Sequence, residues 1–184
     1  MPNAILDPTG TATTSAVKQA APRAPRPASL RGKRVGLLIN TKTNARPFLE
    51  EIGRLLEEQY DVSLTRRTKV NFAVPEPEDA IKEMAAENDV IITGVGDCGS
   101  CSAAAAADGV VLEAAGVPVA AIITESFIPT ADAMAALRGA PGYKYATTAH
   151  PVAVLTEDKV KERAAQVLDD VVALLVEEPG KAEA

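Results

Sequence analysis

The sequence predicts a three-layer α/β sandwich built on a parallel sheet of about five strands. Strand-like and helix-like segments alternate five times along the chain, an order typical of parallel sheets with helices on both faces. The strongest strand segments are continuous apolar runs, as expected of strands that are covered on both sides. Right-handed crossovers between such strands give a flavodoxin-like arrangement.

The first half of the domain contains three predicted strands and two helices. Residues 34–39 (RVGLLI) form a continuous apolar run and predict a buried strand. Residues 47–60 carry an apolar stripe at helical spacing, and 61–64 form a weak second strand. Residues 76–87 begin with acidic side chains, which a helix N-terminus favours. Residues 90–95 (VIITGV) then predict a strong strand.

The second half continues the alternation with three helices and two strands. Residues 102–115 predict a helix that is unusually rich in alanine. Residues 117–124 (VPVAAIIT) are apolar throughout and predict a strand. A helix over 130–137 and a short strand over 144–148 follow. The closing helix is predicted over 157–176.

The composition excludes several classes of partner. The 184-residue chain is 47% apolar, with a formal net charge of −6 and a pI of about 4.9, so nucleic acid and anionic membranes would repel it. No apolar run is long enough to cross a bilayer, and the N-terminus does not resemble a secretion signal, so we expect a cytoplasmic protein. There, Cys98 and Cys101 should be reduced at rest, and a structural disulfide is not expected.

Three segments are expected along the chain. Residues 1–30 should form a flexible or docking N-terminal arm, because they offer little apolar surface to offset the entropy of ordering. Residues 31–176 form the α/β domain, and residues 177–184 a polar tail. A short basic run near the start is expected to be solvated; it comprises Arg23, Arg26, Arg31, Lys33 and Arg34.

The clearest chemistry lies in the turn GVGDCGSCS, which carries Cys98 and Cys101 between the third strand and the next helix. A helix N-terminus favours the thiolate. In a Cys-x-x-Cys pair one sulfur attacks and the other resolves the adduct, and position makes Cys98 the attacking sulfur. Inert buried thiols are the alternative. A structural zinc is disfavoured because ligands are too few, and we expect no cofactor; whether His150 joins the thiols on a metal stays open.

Two residues are candidates for moving protons near the thiols. Asp97 precedes Cys98 and would either carry a proton or accept hydrogen bonds from the free N–H groups of the helix. His150 is the only imidazole of the chain and lies at a strand end, where it would serve as acid or base; a packing role is the alternative. Both are expected catalytic residues beside the two cysteines.

Parallel sheets bind ligands beyond the carboxyl ends of their strands. The residues expected to contact a substrate there are Lys69, Gly96, Gly99, Ser100, Ser102, Glu125, Ser126 and Phe127. Lys69 would hold a carboxylate, unless it is merely solvated. Asp108 and Glu113, on the helix after the cysteines, are expected to be structural.

The stretch over residues 94–102, with its core Gly-Asp-Cys-Gly-Ser-Cys, resembles the motif of the UGSC family. That family is named for selenocysteine-Gly-Ser-Cys, and the members without selenium carry Cys first, as Cys98 does here. The similarity covers most of residues 30–175. Further matching positions are the residues 5–10, Lys69 with Phe72, Asp108 with Glu113, residues 116–118, Thr124 with Phe127, and His150 with Pro151. The resemblance implies redox or strongly nucleophilic chemistry at Cys98.

Three functions follow as hypotheses. The first is a thiol-dependent oxidoreductase or reductive-cleavage enzyme that acts on a small molecule and is reset by a cellular thiol reductant. The second is a non-redox hydrolase or transferase with Cys98 as covalent nucleophile. The third is a non-catalytic subunit of a larger enzyme complex. Two kinds of protein partner are compatible with the sequence: a second copy of the chain in a homo-oligomer, or a second enzyme subunit.

Overall fold

The computed structural model describes residues 23–177, in which five parallel strands form one sheet. The spatial order is β2-β1-β3-β4-β5, which is the flavodoxin-like order, so the predicted fold class is confirmed. The strands are β1 (Arg34–Ile39), β2 (Ser63–Thr68), β3 (Val90–Gly96), β4 (Val119–Thr124) and β5 (Ala146–Thr148). All neighbouring pairs run parallel. The sheet therefore presents every strand's carboxyl end at one edge.

Helices cover both faces of the sheet. They are α1 (Ala45–Tyr60), α2 (Glu78–Glu87), α3 (Gly99–Ala114), α4 (Ile128–Leu137) and α5 (Glu157–Leu175), with a short 3₁₀ turn at Glu125–Phe127. Helices α1 and α5 pack together on one face, and α3 lies between α2 and α4 on the other. No helix among residues 23–177 is long and apolar enough to cross a membrane.

Helix α3 is buried on almost every side. Its residues Ala104, Ala105, Ala106 and Ala107 are at most 3% exposed, and they pack against the sheet and the neighbouring helices. A helix that is apolar all round belongs in an interior. Small side chains let this helix approach the strands closely, so the N-terminus of α3 is held firmly at the carboxyl end of β3.

Strand β2 extends further than the sequence predicted. The strand was expected over residues 61–64, whereas the structure places it at Ser63–Thr68. It lies at the edge of the sheet, where its side chains are half-buried or exposed. Edge strands commonly carry charged residues, so the arginines fit there.

The end of the expected N-terminal arm packs against the domain. Residues 1–22 lie outside the described residues, but residues 23–30 contact both the last turn of α3 and the end of α5. The Arg26 guanidinium donates to both carboxylate oxygens of Glu113, at 2.7 and 2.5 Å, and the Ala24 N–H donates to the same carboxylate at 2.7 Å. The Arg26 side chain is 8% exposed, so the expectation of a fully solvated basic run is corrected at this position.

The last turn of α5 also anchors this segment. The Glu177 N–H donates to the carbonyl of Pro27, and Arg26 Nε donates to the carbonyl of Leu174. The remainder of the predicted polar tail, residues 178–184, lies outside the described residues.

Candidate functional site

Cys98 and Cys101 form a disulfide at the N-terminus of α3. Cys98 is the N-cap residue, and its Sγ accepts a hydrogen bond from the Cys101 N–H at 3.3 Å. Cys98 is half-buried, whereas Cys101 is 1% exposed, so Cys98 is the sulfur that a dissolved molecule can reach. The two thiols were expected to be reduced at rest, and the structure therefore describes the oxidised form of the pair.

The turn before the disulfide is closely packed. A Cβ atom added to Gly96 would lie 2.7 Å from Ser102 Oγ and 2.8 Å from Ile123 Cδ1. Ser102 is fully buried, and its hydroxyl donates to the carbonyl of Cys98 at 2.8 Å. Gly96 and Ser102 were both expected to contact a substrate. In this structure they instead pack α3 onto β3 and fix the backbone of Cys98.

Asp97 holds a loop from the far end of the chain. Its carboxylate accepts hydrogen bonds from the Val152 N–H at 3.0 Å and the Ala153 N–H at 2.8 Å, and Oδ1 lies 3.0 Å from His150 Nδ1. The side chain is 5% exposed. The alternative that Asp97 caps the helix after it is therefore corrected, because Cys98 Sγ takes that position and Asp97 bonds the loop that carries His150.

His150 has its Nδ1 atom between two acceptors. Besides Asp97, that atom lies 3.2 Å from Thr124 Oγ1, whose own hydroxyl donates to the carbonyl of Gly96 at 3.0 Å. Two acceptors assign the proton to Nδ1 and leave Nε2 free to accept or deliver a proton. The ring of Phe127 meets the imidazole edge-on at 5.4 Å between centroids. Thr124 is a polar residue at the end of a buried apolar strand. That position in the sequence indicated a residue of the site.

Asn44, the N-cap residue of α1, also fixes this loop. Its Nδ2 donates to the carbonyls of Val152 and Leu155, at 3.0 and 2.9 Å. Asp97 accepts hydrogen bonds from backbone N–H groups of the loop, and Asn44 donates to its backbone carbonyls. Both the donors and the acceptors of the loop backbone are therefore held. The position of His150 is therefore determined by β3, β4 and the start of α1 together.

Lys69 lies in the interior. It is 3% exposed and forms an ion pair with Asp108, which also accepts the Glu76 N–H at 2.7 Å. Burial raises the pKa of the Asp108 carboxyl above its ordinary value, and the adjacent Lys69 ammonium opposes that shift. Asp108 is seven residues along α3 from Cys101, or roughly 10 Å at the rise of an α-helix. The lysine thus has an internal partner in place of the expected substrate carboxylate.

The remaining expected contacts are half-buried or exposed. Gly99 is half-buried and Ser100 exposed, with Ser100 Oγ 3.6 Å from Cys98 Sγ. Glu125 and Ser126 are exposed on the 3₁₀ turn after β4, and Glu125 lines a cavity of about 200 Å³ beside β5. All four follow the carboxyl ends of β3 and β4, and their contact with a substrate stays a prediction.

Metal ligands do not gather in the described part of the chain. Among residues 23–177, no three His, Cys, Asp or Glu side chains are placed to hold a metal ion. The arrangement instead offers an accessible sulfur, a second sulfur bonded to it, and an imidazole oriented by a buried carboxylate. Those groups suffice for thiol–disulfide exchange with proton transfer.

Two solved structures resemble this chain distantly. The chain is 16% identical to an ABC transporter permease from the Pseudomonas fluorescens group, covering 81% of this chain and 34% of that chain with a TM-score of 0.40. It therefore spans about a third of that protein's length. It is 15% identical to the flavodoxin-like domain of a Synechococcus sp. protein, covering 74% of this chain and 90% of that one with a TM-score of 0.37.

Comparison with families gives a definite result. A search of curated proteins finds no match. The sequence model of the UGSC family matches residues 4–177, which is nearly the whole chain and includes both cysteines, Asp97 and His150. The resemblance stated on the Gly-Asp-Cys-Gly-Ser-Cys motif is thereby confirmed, and the chain belongs to the UGSC family.

Proposed function

We propose that this protein is a thiol–disulfide oxidoreductase that reduces or reductively cleaves a small molecule through Cys98 and Cys101. The observation that carries the proposal is the disulfide between a reachable N-cap sulfur and a buried sulfur in the first turn of the same helix. The short loop between them allows the bond to form and open with little movement of the backbone. The helix N-terminus stabilises the thiolate at either sulfur.

The proposed reaction consists of two successive thiol attacks. His150 Nε2 takes the proton of the Cys98 thiol. The thiolate attacks an electrophilic sulfur or similar soft atom of the substrate, a Cys98–substrate bond forms, and the leaving group departs with the electron pair of the broken bond and takes that proton from Nε2. Cys101 then loses its proton and attacks Cys98 Sγ, which forms the disulfide and releases the rest of the substrate with the other electron pair and the Cys101 proton. The substrate gains two electrons and the cysteine pair loses two. A cellular dithiol reductant restores both thiols and is itself oxidised to a disulfide.

A second candidate function has one observation in its favour. The Asp97–His150 hydrogen bond is also the arrangement that activates a cysteine nucleophile for acyl transfer without redox change. In that reaction Cys101 takes no part. A Cys101→Ser variant that turns over an activated ester as fast as the wild type would favour this function over the first.

The test of the proposed function is the reactivity of each thiol after reduction. Wild type, Cys98→Ser and Cys101→Ser are alkylated across a range of pH, and the products are measured by intact mass. We expect Cys98 to react faster than Cys101, with an apparent pKa below about 8.5, the ordinary value for a thiol. Mild peroxide should remove two hydrogen atoms from the wild type and leave oxygen on Cys98 in Cys101→Ser.

The matched control is the same protein unfolded in urea, in which both thiols should react alike. Slow alkylation of both thiols in the folded wild type, with no disulfide after peroxide, would refute the redox function.

A further inference from the structure

We propose that the cavity between β5 and the middle of α5 binds the head group of a small zwitterion, an ammonium carboxylate of the α-amino-acid class. The cavity measures about 200 Å³, and its polar lining includes Glu125, Thr148, Arg163 and Gln166. Pockets for drug-sized ligands commonly measure roughly 300–1,000 Å³. The smaller volume here suits a compact metabolite.

One residue that lines the cavity has a buried hydroxyl without a partner. Thr148 is 5% exposed, and its Oγ1 forms no hydrogen bond within the described residues. Buried polar atoms in native proteins nearly always have a partner, so an exception requires an explanation. The oxygen is not accessible from the cavity as the side chain stands, and a turn about χ1 of Thr148, which lines the cavity, would present it to a polar group of a ligand.

The cavity also has one side chain of each charge without an ion-pair partner. Arg163 and Glu125 form no ion pair within residues 23–177, either with each other or with a third residue, whereas the buried Arg26 and Lys69 are both paired. One Arg163 N–H donates to the carbonyl of Ala149 at 2.5 Å, which holds the guanidinium at the cavity wall.

These two charges define the ligand. The remaining N–H groups of the guanidinium match a carboxylate, and the Glu125 carboxylate matches an ammonium group. A ligand with both groups would therefore satisfy both side chains. A ligand with one charge would leave the other side chain of the cavity without a partner.

The cavity lies next to His150, on the side of the sheet ends that also carries the cysteines. Ala149 precedes His150, and Glu125 follows Thr124, whose hydroxyl contacts His150. Neighbouring strands lie about 4.8 Å apart, so the ends of β3 and β5 are separated by roughly 10 Å. An amino acid held in the cavity would extend its side chain past His150 towards Cys98. That this ligand is the substrate of the cysteine pair rests on the proposed function; the binding site itself does not.

The test is a binding titration of the full, oxidised chain, followed by backbone amide chemical shifts. The probe is L-methionine, whose thioether reacts with neither thiols nor disulfides, beside its deaminated analogue (methylthio)butanoate and its decarboxylated analogue (methylthio)propylamine. We expect methionine to shift the amides around Thr148 and to bind about tenfold or more tightly than either analogue, because each lacks one charged contact. Because no redox step is involved, the result stands even if the cysteines prove inert.

Variants assign the binding to the two charges. Arg163→Gln and Glu125→Gln should each weaken methionine binding by about tenfold or more. The matched controls, Arg138→Gln and Glu87→Gln, alter exposed residues at the ends of α4 and α2 and should leave binding unchanged. Glu125 is exposed on a turn, so its variant tests the proposal even if Arg163→Gln fails to fold. Absence of methionine binding, equal binding of an analogue, or equal loss in a control would overturn the proposal.

Discussion

Asp97 Oδ1 lies 3.0 Å from His150 Nδ1, and this contact joins the residue after β3 to the residue that follows β5 and Ala149. Thr124, the last residue of β4, reaches the same nitrogen from the strand between them. The three strand ends therefore hold one imidazole next to the segment that carries Cys98. A carboxylate and a hydroxyl on one ring nitrogen leave the other as the proton donor or acceptor.

The first prediction concerns proton delivery by His150. In reduced protein, His150→Gln should slow the attack of Cys98 on bis(hydroxyethyl) disulfide by about 100-fold, the range of general acid catalysis. The attack on an aromatic nitrobenzoate disulfide should change little, because that leaving thiolate is weakly basic and needs no proton. Gln keeps an N–H for Asp97, so the loop should stay in place. Stopped-flow measurement of thiolate release gives both rates.

Ser63→Ala is the matched control, because Ser63 is exposed at the start of β2, away from the carboxyl ends of the strands, and its hydroxyl has no hydrogen bond in the described structure. It should leave both rates unchanged. If His150→Gln slowed the two disulfides equally, His150 would be a positioning residue and not a proton donor.

The second prediction compares two glycines of the cysteine turn. A methyl group on Gly96 would lie 2.7 Å from Ser102 Oγ, whereas one on Gly99 has no atom within 4 Å. Gly96→Ala should therefore destabilise the protein by about 1–3 kcal/mol through overpacking. Gly99→Ala, at the first position of α3, should be neutral or stabilising by up to about 1 kcal/mol.

Urea unfolding of both variants in the oxidised state measures the difference. Equal stability of the two would show that the N-terminus of α3 yields to the added methyl group and is not held as described. Because Ser102 bonds the carbonyl of Cys98, the Gly96 variant should also change the alkylation rate of Cys98 in reduced protein.

The fold and the centre of the site follow from local patterns in the sequence. The apolar run of β1 predicted its bounds at residues 34–39, because residues 35–39 are all buried and the exposed Arg34 marks where that run begins. The placement of Cys98 at the N-cap followed from three glycines between a strong strand and a helical segment. These features depend on a few neighbouring residues, which a sequence displays directly.

The partners of the charged residues could not be predicted in the same way. A lysine is almost never fully buried unless it is paired, and the partner of Lys69 lies on another element, at Asp108. Arg163 stands among other charges on α5, and only the cavity distinguishes it. The role of Asp97 depends on N–H groups from a loop beyond β5. Such contacts form between distant parts of the chain and leave no periodic signal.

The last prediction concerns the ion pair that fastens the segment before β1. The Arg26 and Glu113 side chains are 8% and 4% exposed, so Arg26→Leu would leave a buried carboxylate without its cation. We expect a loss of about 3–5 kcal/mol in the free energy of unfolding. Adding Glu113→Gln should recover part of that loss, because Gln removes the charge while its oxygen still accepts an N–H from Ala24 or Val119. Arg31→Leu, an exposed change in the same segment, should stay within about 0.5 kcal/mol of the wild type. Urea unfolding at one pH compares the four proteins, and equal stability of Arg26→Leu and Arg31→Leu would contradict the structural role of Arg26.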